Sequence, residues 1–317
     1  MHKVIFDTDP GVDDAMALLF LHRHPEIDLV GVTTVFGNAS IETTTRNALF
    51  LKREWGIDCP VAKGADKTFN PDRKSSGDFP YHIHGDDGLG NIGVPAEIDL
   101  DPDPRPAHQF IIDTVKAHPG EVTLVAVGRM TNLANALMSE PEIAKLVKQV
   151  VIMGGAFDVN GNITPAGEAN IHGDPEAADF ILTAEWPVVV VGLDVTMKTL
   201  MSRTDLAEMV EKGGKDVKLL SDISQFYIDF YKHWVKDTMA VHDSCACVYV
   251  VAPELFKTRS GPIRVVCGSV ADGQTIQKPD GQSFGPSEWD GHPSQKACID
   301  IQQDRVLDLI KTTLVDG

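Results

Sequence analysis

Residues 2–19, His2-Lys3-Val4-Ile5-Phe6-Asp7-Thr8-Asp9-Pro10-Gly11-Val12-Asp13-Asp14-Ala15-Met16-Ala17-Leu18-Leu19, decide the fold. The apolar run over 3–6 reads as a buried strand, since β-branched and aromatic residues fit a pleated, covered surface. Pro10 and Gly11 turn the chain. A helix follows over 13–22, with Ala15, Leu18, Leu19 and His22 at helical spacing. Four carboxylates, Asp7, Asp9, Asp13 and Asp14, fall within eight residues between two apolar runs. A chain that crowds this much negative charge against its own core has a reason to do so.

Working outward, the same strand-then-helix alternation recurs. Strands are expected over 28–35, 121–127, 150–153 and 188–191, and helices over 41–52, 132–138 and 175–182. This predicts an α/β fold: an open, mostly parallel, Rossmann-like sheet with helices on both faces. We read residues 1–317 as a single large domain with a helical and loop cap over the site. Residues 63–105 are rich in Pro, Gly, Asp and His and read as a long loop, a common carrier of function. Beyond 204 the chain reads as mainly helical to about 251. Strand-like pieces follow at 263–266 and 274–277, and a helix at 304–314. Four unusual stretches lie directly after strands: DTDPGVDD, TTVFGN, AVGRMTN and IMGGAF. In a parallel sheet they converge on one rim, where open sheets bind their ligands.

With 46 acidic residues against 28 basic, the formal net charge is −18, which repels phosphate backbones and argues against a nucleic-acid partner. The longest apolar run, at 187–193, is too short to span a bilayer, and an aspartate arrives at position 7. The expectation is a cytoplasmic protein without a membrane partner. Five cysteines without a CxxC pair read as free thiols.

Acidic residues suit a helix N-terminus, which accounts for Asp13 or Asp14 alone but not for Asp7 and Asp9 as well. Carboxylates sharing a buried pocket repel and take up protons unless a cation sits among them. A hard divalent ion with oxygen ligands meets that need. Asp-x-Asp beside a strand end also fits metal-dependent phosphohydrolases of the haloacid dehalogenase type, although Gly11 stands where those enzymes want Thr or Val.

The run Asp7-Thr8-Asp9-Pro10-Gly11-Val12-Asp13-Asp14-Ala15 closely resembles the N-terminal signature of the nucleoside hydrolases, the inosine–uridine-preferring family. Further pieces agree in order: Thr33–Asn38, His84–Gly90, Val127–Asn132, Met153–Gly155, Gly161–Pro165, Glu168–Asn170 and Val241–Asp243. The resemblance implies calcium-dependent hydrolysis of the N-glycosidic bond of ribonucleosides, through an oxocarbenium-like transition state. The substrate is a small nucleoside, and the enzyme is expected as a homo-dimer or homo-tetramer. A non-catalytic nucleoside or ribose binder on the same fold is the other alternative.

By motif match, the resemblance assigns Ca2+ to Asp9, Asp14, Asp243 and the carbonyl of Val127. It makes Asp9 the base that takes a proton from water, and gives the ribose 2′-hydroxyl to Asp13, steadied by Asn38. Asn162, Glu168 and Asn170 grip the other ribose hydroxyls, with Met153 in the same substrate-binding set. His242 is the candidate to protonate the leaving base, with a pKa near working pH; on spacing alone a packing histidine is the better reading, and the match of His242-Asp243 to the family reverses it. His84 is placed on the ribose or base. Tyr231 and Trp234, in an aromatic stripe with Phe226, Tyr227 and Phe230, are named for base stacking, although such stripes commonly form core. Ala169 stands where many members carry an aromatic residue. Arg129 replaces a common proline, and a solvent-facing orientation is expected for it.

Overall fold

The computed structural model describes residues 1–73, 79–232 and 235–317. The chain begins β1 (His2–Thr8), α1 (Val12–Arg23), β2 (Ile27–Thr34), α2 (Ile41–Trp55), β3 (Val61–Lys63), α3 (Tyr81–His84) and α4 (Ala107–Ala117). It continues through β4 (Val122–Ala126), α5 (Thr131–Ser139), β5 (Gln149–Met153), α6 (Ala169–Gly173), α7 (Pro175–Leu182), β6 (Val188–Val191) and α8 (Leu193–Thr196). Next come β7 (Leu200–Ser202), α9 (Arg203–Tyr231), β8 (Thr238–Ala240), α10 (His242–Val251), β9 (Phe256–Gly261), β10 (Ile263–Val265), β11 (Thr275–Gln277), β12 (Gln295–Ile301) and α11 (Gln303–Asp316).

Among the described residues the main sheet has eight strands in the order β3-β2-β1-β4-β5-β6-β12-β9. The pairs from β3 to β12 are parallel and only β9 runs antiparallel, so the expected mostly parallel sheet is present. Its centre is buried on both faces, and β4 and β6 are wholly buried runs of apolar and hydroxyl side chains. One apolar core, with Phe6, Leu18, Val191 and Val248, lies on one face; a second, with Ile5, Leu124, Ile152 and Trp186, lies on the other. Adjacent residues Ile5 and Phe6 enter opposite cores because side chains alternate along a strand.

Register aligns the strand ends. Thr8 pairs with Thr34, Asp7 with Ala126, Ala126 with Ile152, and Met153 with Val191. The four stretches after β1, β2, β4 and β5 therefore meet on one rim.

Two helices point at that rim from inside the molecule. In α1, Val12 to Leu21 are all buried, and in α10, His242 to Val250 are. Such all-round burial is what a helix apolar on every side demands. α2 is conventional: Ser40 caps it by accepting from the Thr43 amide, and Gly56 ends it in the left-handed region at φ 66°.

The sequence reading does not place α4, β9 or β12, and it runs helix through β8. β9 and β12 look polar because β9 is an edge strand with one face in water, and because buried Gln295 spends its amide on the carbonyls of Leu182, Ala184 and Trp186. Among its described residues the long 63–105 loop holds little regular structure beyond the single turn α3, as expected.

A candidate active site of buried carboxylates

Asp9 leaves β1, and Pro10 and Gly11 turn the chain into α1, which places Asp13 and Asp14 in its first turn. Asp14 closes this turn on itself. Its Oδ1 accepts from Thr8 Oγ1 and from the Asp9 amide at 3.2 Å. Its Oδ2 accepts from the Gly11 amide and from Asn38 Nδ2, each at 2.9 Å. Asp243 enters from the first turn of α10. Carboxylate oxygens of Asp13, Asp14 and Asp243 lie within 4.8 Å of one another, all buried.

Asp9 lies beside them. Its Oδ2 accepts from the Asn38 amide at 2.7 Å, while its Oδ1 is buried with no hydrogen-bond partner. Two glycines press on this carboxylate: a Cβ at Gly37 would lie 1.9 Å from Oδ2, and one at Gly128 2.6 Å from Oδ1. Asp7 faces elsewhere. Its Oδ1 accepts from Thr33 Oγ1 at 2.5 Å and Asn132 Nδ2 at 2.7 Å, and its Oδ2 has no partner.

Burial raises every one of these acids. It pushes Asp7 up to about 7 against the pull of Thr33 and Asn132. Burial and then Asp14 raise both Asp9 and Asp13. Burial, then Asp13, Asp14, Asp9 and Glu168, raise Asp243. A set of oxygens this close, with an orphaned lone pair on Asp9, suits a divalent cation bound by hard oxygen donors. The N-termini of α1 and α10 add their positive ends to the same point, which lowers the cost of the charge only in part.

The remaining expected residues cluster at the same rim. The Val127 carbonyl accepts from Asn170 Nδ2 at 2.6 Å, and the same amide reaches the Met153 carbonyl at 3.1 Å. Glu168 caps α6, accepting from the amides of Asn170 and Ile171 and from Gly155 at 3.0 Å. Asn162 is exposed, and its Oδ1 accepts from the Ala169 amide at 2.9 Å. The bonds of Asn38 run to Asp9 and Asp14, where the sequence reading has it steadying Asp13.

Opposite the carboxylates stands an aromatic wall. His84 is buried, accepts from the Val12 amide through Nδ1 at 3.2 Å, and stacks on Tyr227 with ring centres 5.3 Å apart. Tyr227 hydrogen-bonds Asp13 and Tyr231. The Tyr231 hydroxyl lies 2.8 Å from His242 Nε2, and His242 Nδ1 lies 2.8 Å from Thr196 Oγ1. Burial lowers His242 to about 4 and His84 to about 3, below the near-neutral range the sequence reading gives His242. Both rings are uncharged at neutral pH. Trp234 lies outside the described residues.

Sequence reasoning passes over Tyr227 and Thr196. Tyr227 was legible in principle, since it stands four residues before Tyr231 on the same helix face. Thr196 carries no such signal. Arg129 also departs from its expected outward orientation: its guanidinium stacks 4.2 Å over the Phe36 ring.

A family model described as inosine-uridine preferring nucleoside hydrolase matches residues 4–308. A probable uridine nucleosidase 2 from Arabidopsis thaliana is 39% identical over 320 residues, covering 99% of this chain and 98% of that protein. Among solved structures, a plant nucleoside hydrolase superposes with a TM-score of 0.93 at 38% identity, covering 100% of this chain and 99% of that one. A purine-preferring ribonucleoside hydrolase from Gardnerella vaginalis follows at 0.90 and 31% identity, covering 99% and 98%.

Proposed function

The chain belongs to the inosine-uridine preferring nucleoside hydrolase family and is a hydrolase acting on N-glycosyl compounds; from that premise we propose how its own residues cleave a ribonucleoside to ribose and free base. The observation that carries the proposal is the packing of Asp13, Asp14 and Asp243 within 4.8 Å, next to the unpartnered oxygen of Asp9. Asp9, Asp14, Asp243 and the Val127 carbonyl would hold Ca2+, and Asp13 shares the 4.8 Å set with Asp14 and Asp243. When bound, the cation lowers the pKa of the attacking water and orients it.

Asp9 Oδ1 receives the proton of that water; it is the Asp9 oxygen with no partner on the protein. As the glycosidic bond lengthens, positive charge grows on the sugar, and the surrounding carboxylates stabilise it. Asp13, held by Tyr227, binds a ribose hydroxyl. Asn170, Glu168, Asn162 and Met153 line the side toward the other hydroxyls. Asn170 can exchange its bond to the Val127 carbonyl for one to the sugar, because a carboxamide both donates and accepts.

The leaving base needs a proton. His242 is held neutral, so it does not deliver one as a free imidazolium. The hydrogen-bonded pair Tyr231–His242 does so instead: Nδ1–H donates to Thr196 and the phenol donates to Nε2. A base that takes the phenolic proton leaves a phenolate, which burial disfavours; the one hydroxyl proton of Tyr227, turned from Asp13 to Tyr231, supports it. His84, stacked on Tyr227, keeps this wall in place and closes the entrance against water.

The structure has no helix long and apolar enough to cross a membrane among its described residues. A cytoplasmic homo-dimer or homo-tetramer completes the proposal. The test is release of reducing sugar from inosine, adenosine, guanosine, uridine and cytidine, with and without a calcium chelator. Release that the chelator abolishes supports the reading. Orthophosphate release from nucleoside phosphates, with no sugar freed from nucleosides, overturns it in favour of a phosphohydrolase.

A further inference from the structure

The two glycines that press on Asp9 come from different loops, Gly37 from the β2–α2 connection and Gly128 from the β4–α5 connection. Their chain neighbours are Phe36 and Arg129, and these two side chains stack on each other at 4.2 Å. Phe36 is buried, and among the described residues the Arg129 guanidinium makes no hydrogen bond and no ion pair. Beyond the ring, the guanidinium feels the charges of Asp9 and Asp174. Gly173 leaves the room the side chain needs, since a Cβ there would lie 2.5 Å from Arg129 Nε.

We infer that the Phe36–Arg129 stack is a clasp that locks the β2–α2 and β4–α5 loops together around Asp9 and so fixes the direction of its carboxylate. The physical reason is that Asp9 cannot anchor itself: one oxygen has a single amide partner and the other has none. Its orientation depends on the walls, and the walls belong to separate loops. A desolvated guanidinium over an aromatic face is a contact strong enough to join them. The positive charge also lies on the side of the carboxylate cluster, which favours the ionised form of its neighbour. Phe36 and Arg129 act here as positioning residues, through Asp9.

The inference rests on reading Asp9 as the working carboxylate, and the experiment separates the two. Phe36→Leu, Arg129→Met, the double variant and Phe36→Trp are compared with Asp9→Asn. Each of the two single changes should lower kcat roughly 3- to 30-fold, the range set by a cation–π contact of this kind, with KM within about twofold. Calcium titrated by calorimetry into the metal-stripped protein should bind at least about threefold more weakly in both. The double variant should be no worse than either single change, and Phe36→Trp, which keeps an aromatic face, should retain wild-type turnover. Wild-type kcat and calcium affinity in folded Phe36→Leu and Arg129→Met overturn the clasp, as do losses that multiply in the double variant. Turnover that survives Asp9→Asn overturns the reading of Asp9 instead.

Discussion

The carboxylate floor of the site and its aromatic wall are assembled differently and respond to charge in opposite ways. The floor comes mostly from one turn, Asp9 to Asp14, set by the end of a central strand and the start of a buried helix. Its acids are all raised by burial and by each other. The wall is drawn from α3, α8, α9 and α10, and brings Tyr227 to Asp13 across more than two hundred residues. Its histidines are lowered by the same burial. Desolvation penalises whichever form carries charge, so one enclosed pocket raises acids and lowers bases together. The floor therefore suits a cation, while the wall is stable neutral, and its proposed part is to supply a proton through hydrogen bonds.

The largest effect is expected on the floor. Asp9→Ala should cost about 10²–10⁴-fold in kcat, as loss of a general base does. The Tm should move by no more than about 4 °C, because the side chain gives up only one hydrogen bond. Sugar release and calorimetry on the same preparation decide it; near-wild-type turnover would remove Asp9 from the mechanism.

Next comes the cation itself. Calcium at about a hundredfold over Kd should stabilise the protein by roughly 2.7 kcal/mol, or about 4 °C in Tm. The pH trend should also reverse. In the stripped protein, floor acids with raised folded values bind more protons than in the unfolded chain, so their stabilisation is lost as pH rises from about 4 through about 8, where Asp13 titrates. With the cation in place the floor is ionised and the wall dominates. His84 and His242, lowered to about 3 and about 4, contribute stability above about 6.5 that is lost as pH falls toward 4. Scanning calorimetry from pH 5 to 8 should show Tm falling with pH in the stripped protein and rising with pH in the loaded one. Equal slopes would break the contrast between floor and wall.

Tyr231→Phe probes the wall alone. It removes the phenol from His242 Nε2, and an unsatisfied buried acceptor costs about 1–3 kcal/mol. We expect kcat to fall about tenfold or more, with calcium affinity unchanged. A parallel loss of calcium binding would show that floor and wall are not separable. The smallest effect belongs outside both: Ser40→Ala, which uncaps α2, should cost about 1 kcal/mol and leave kcat intact.

How much of this was legible depended on the range of the interactions. The four rim stretches could be read because each follows a strand, and parallel pairing must carry them to one edge. Asp9, Asp13 and Asp14 share one turn, so their proximity was implicit in their spacing. β9 and β12 escaped because an edge strand need not be apolar and because Gln295 meets its partners only after folding. Arg129 was read as facing solvent, since nothing in its neighbourhood along the chain announces Phe36 from another loop.

The order of residues thus determined the parallel sheet and the carboxylate floor, and carried the expectation of a cation, because backbone periodicity and short-range charge repulsion follow from local order. Tertiary structure alone decided that His242 is neutral, that Tyr227 and Tyr231 link it to Asp13, and that Arg129 turns inward onto Phe36. Those outcomes depend on what is packed around each group, and desolvation exists only once distant segments have closed over it.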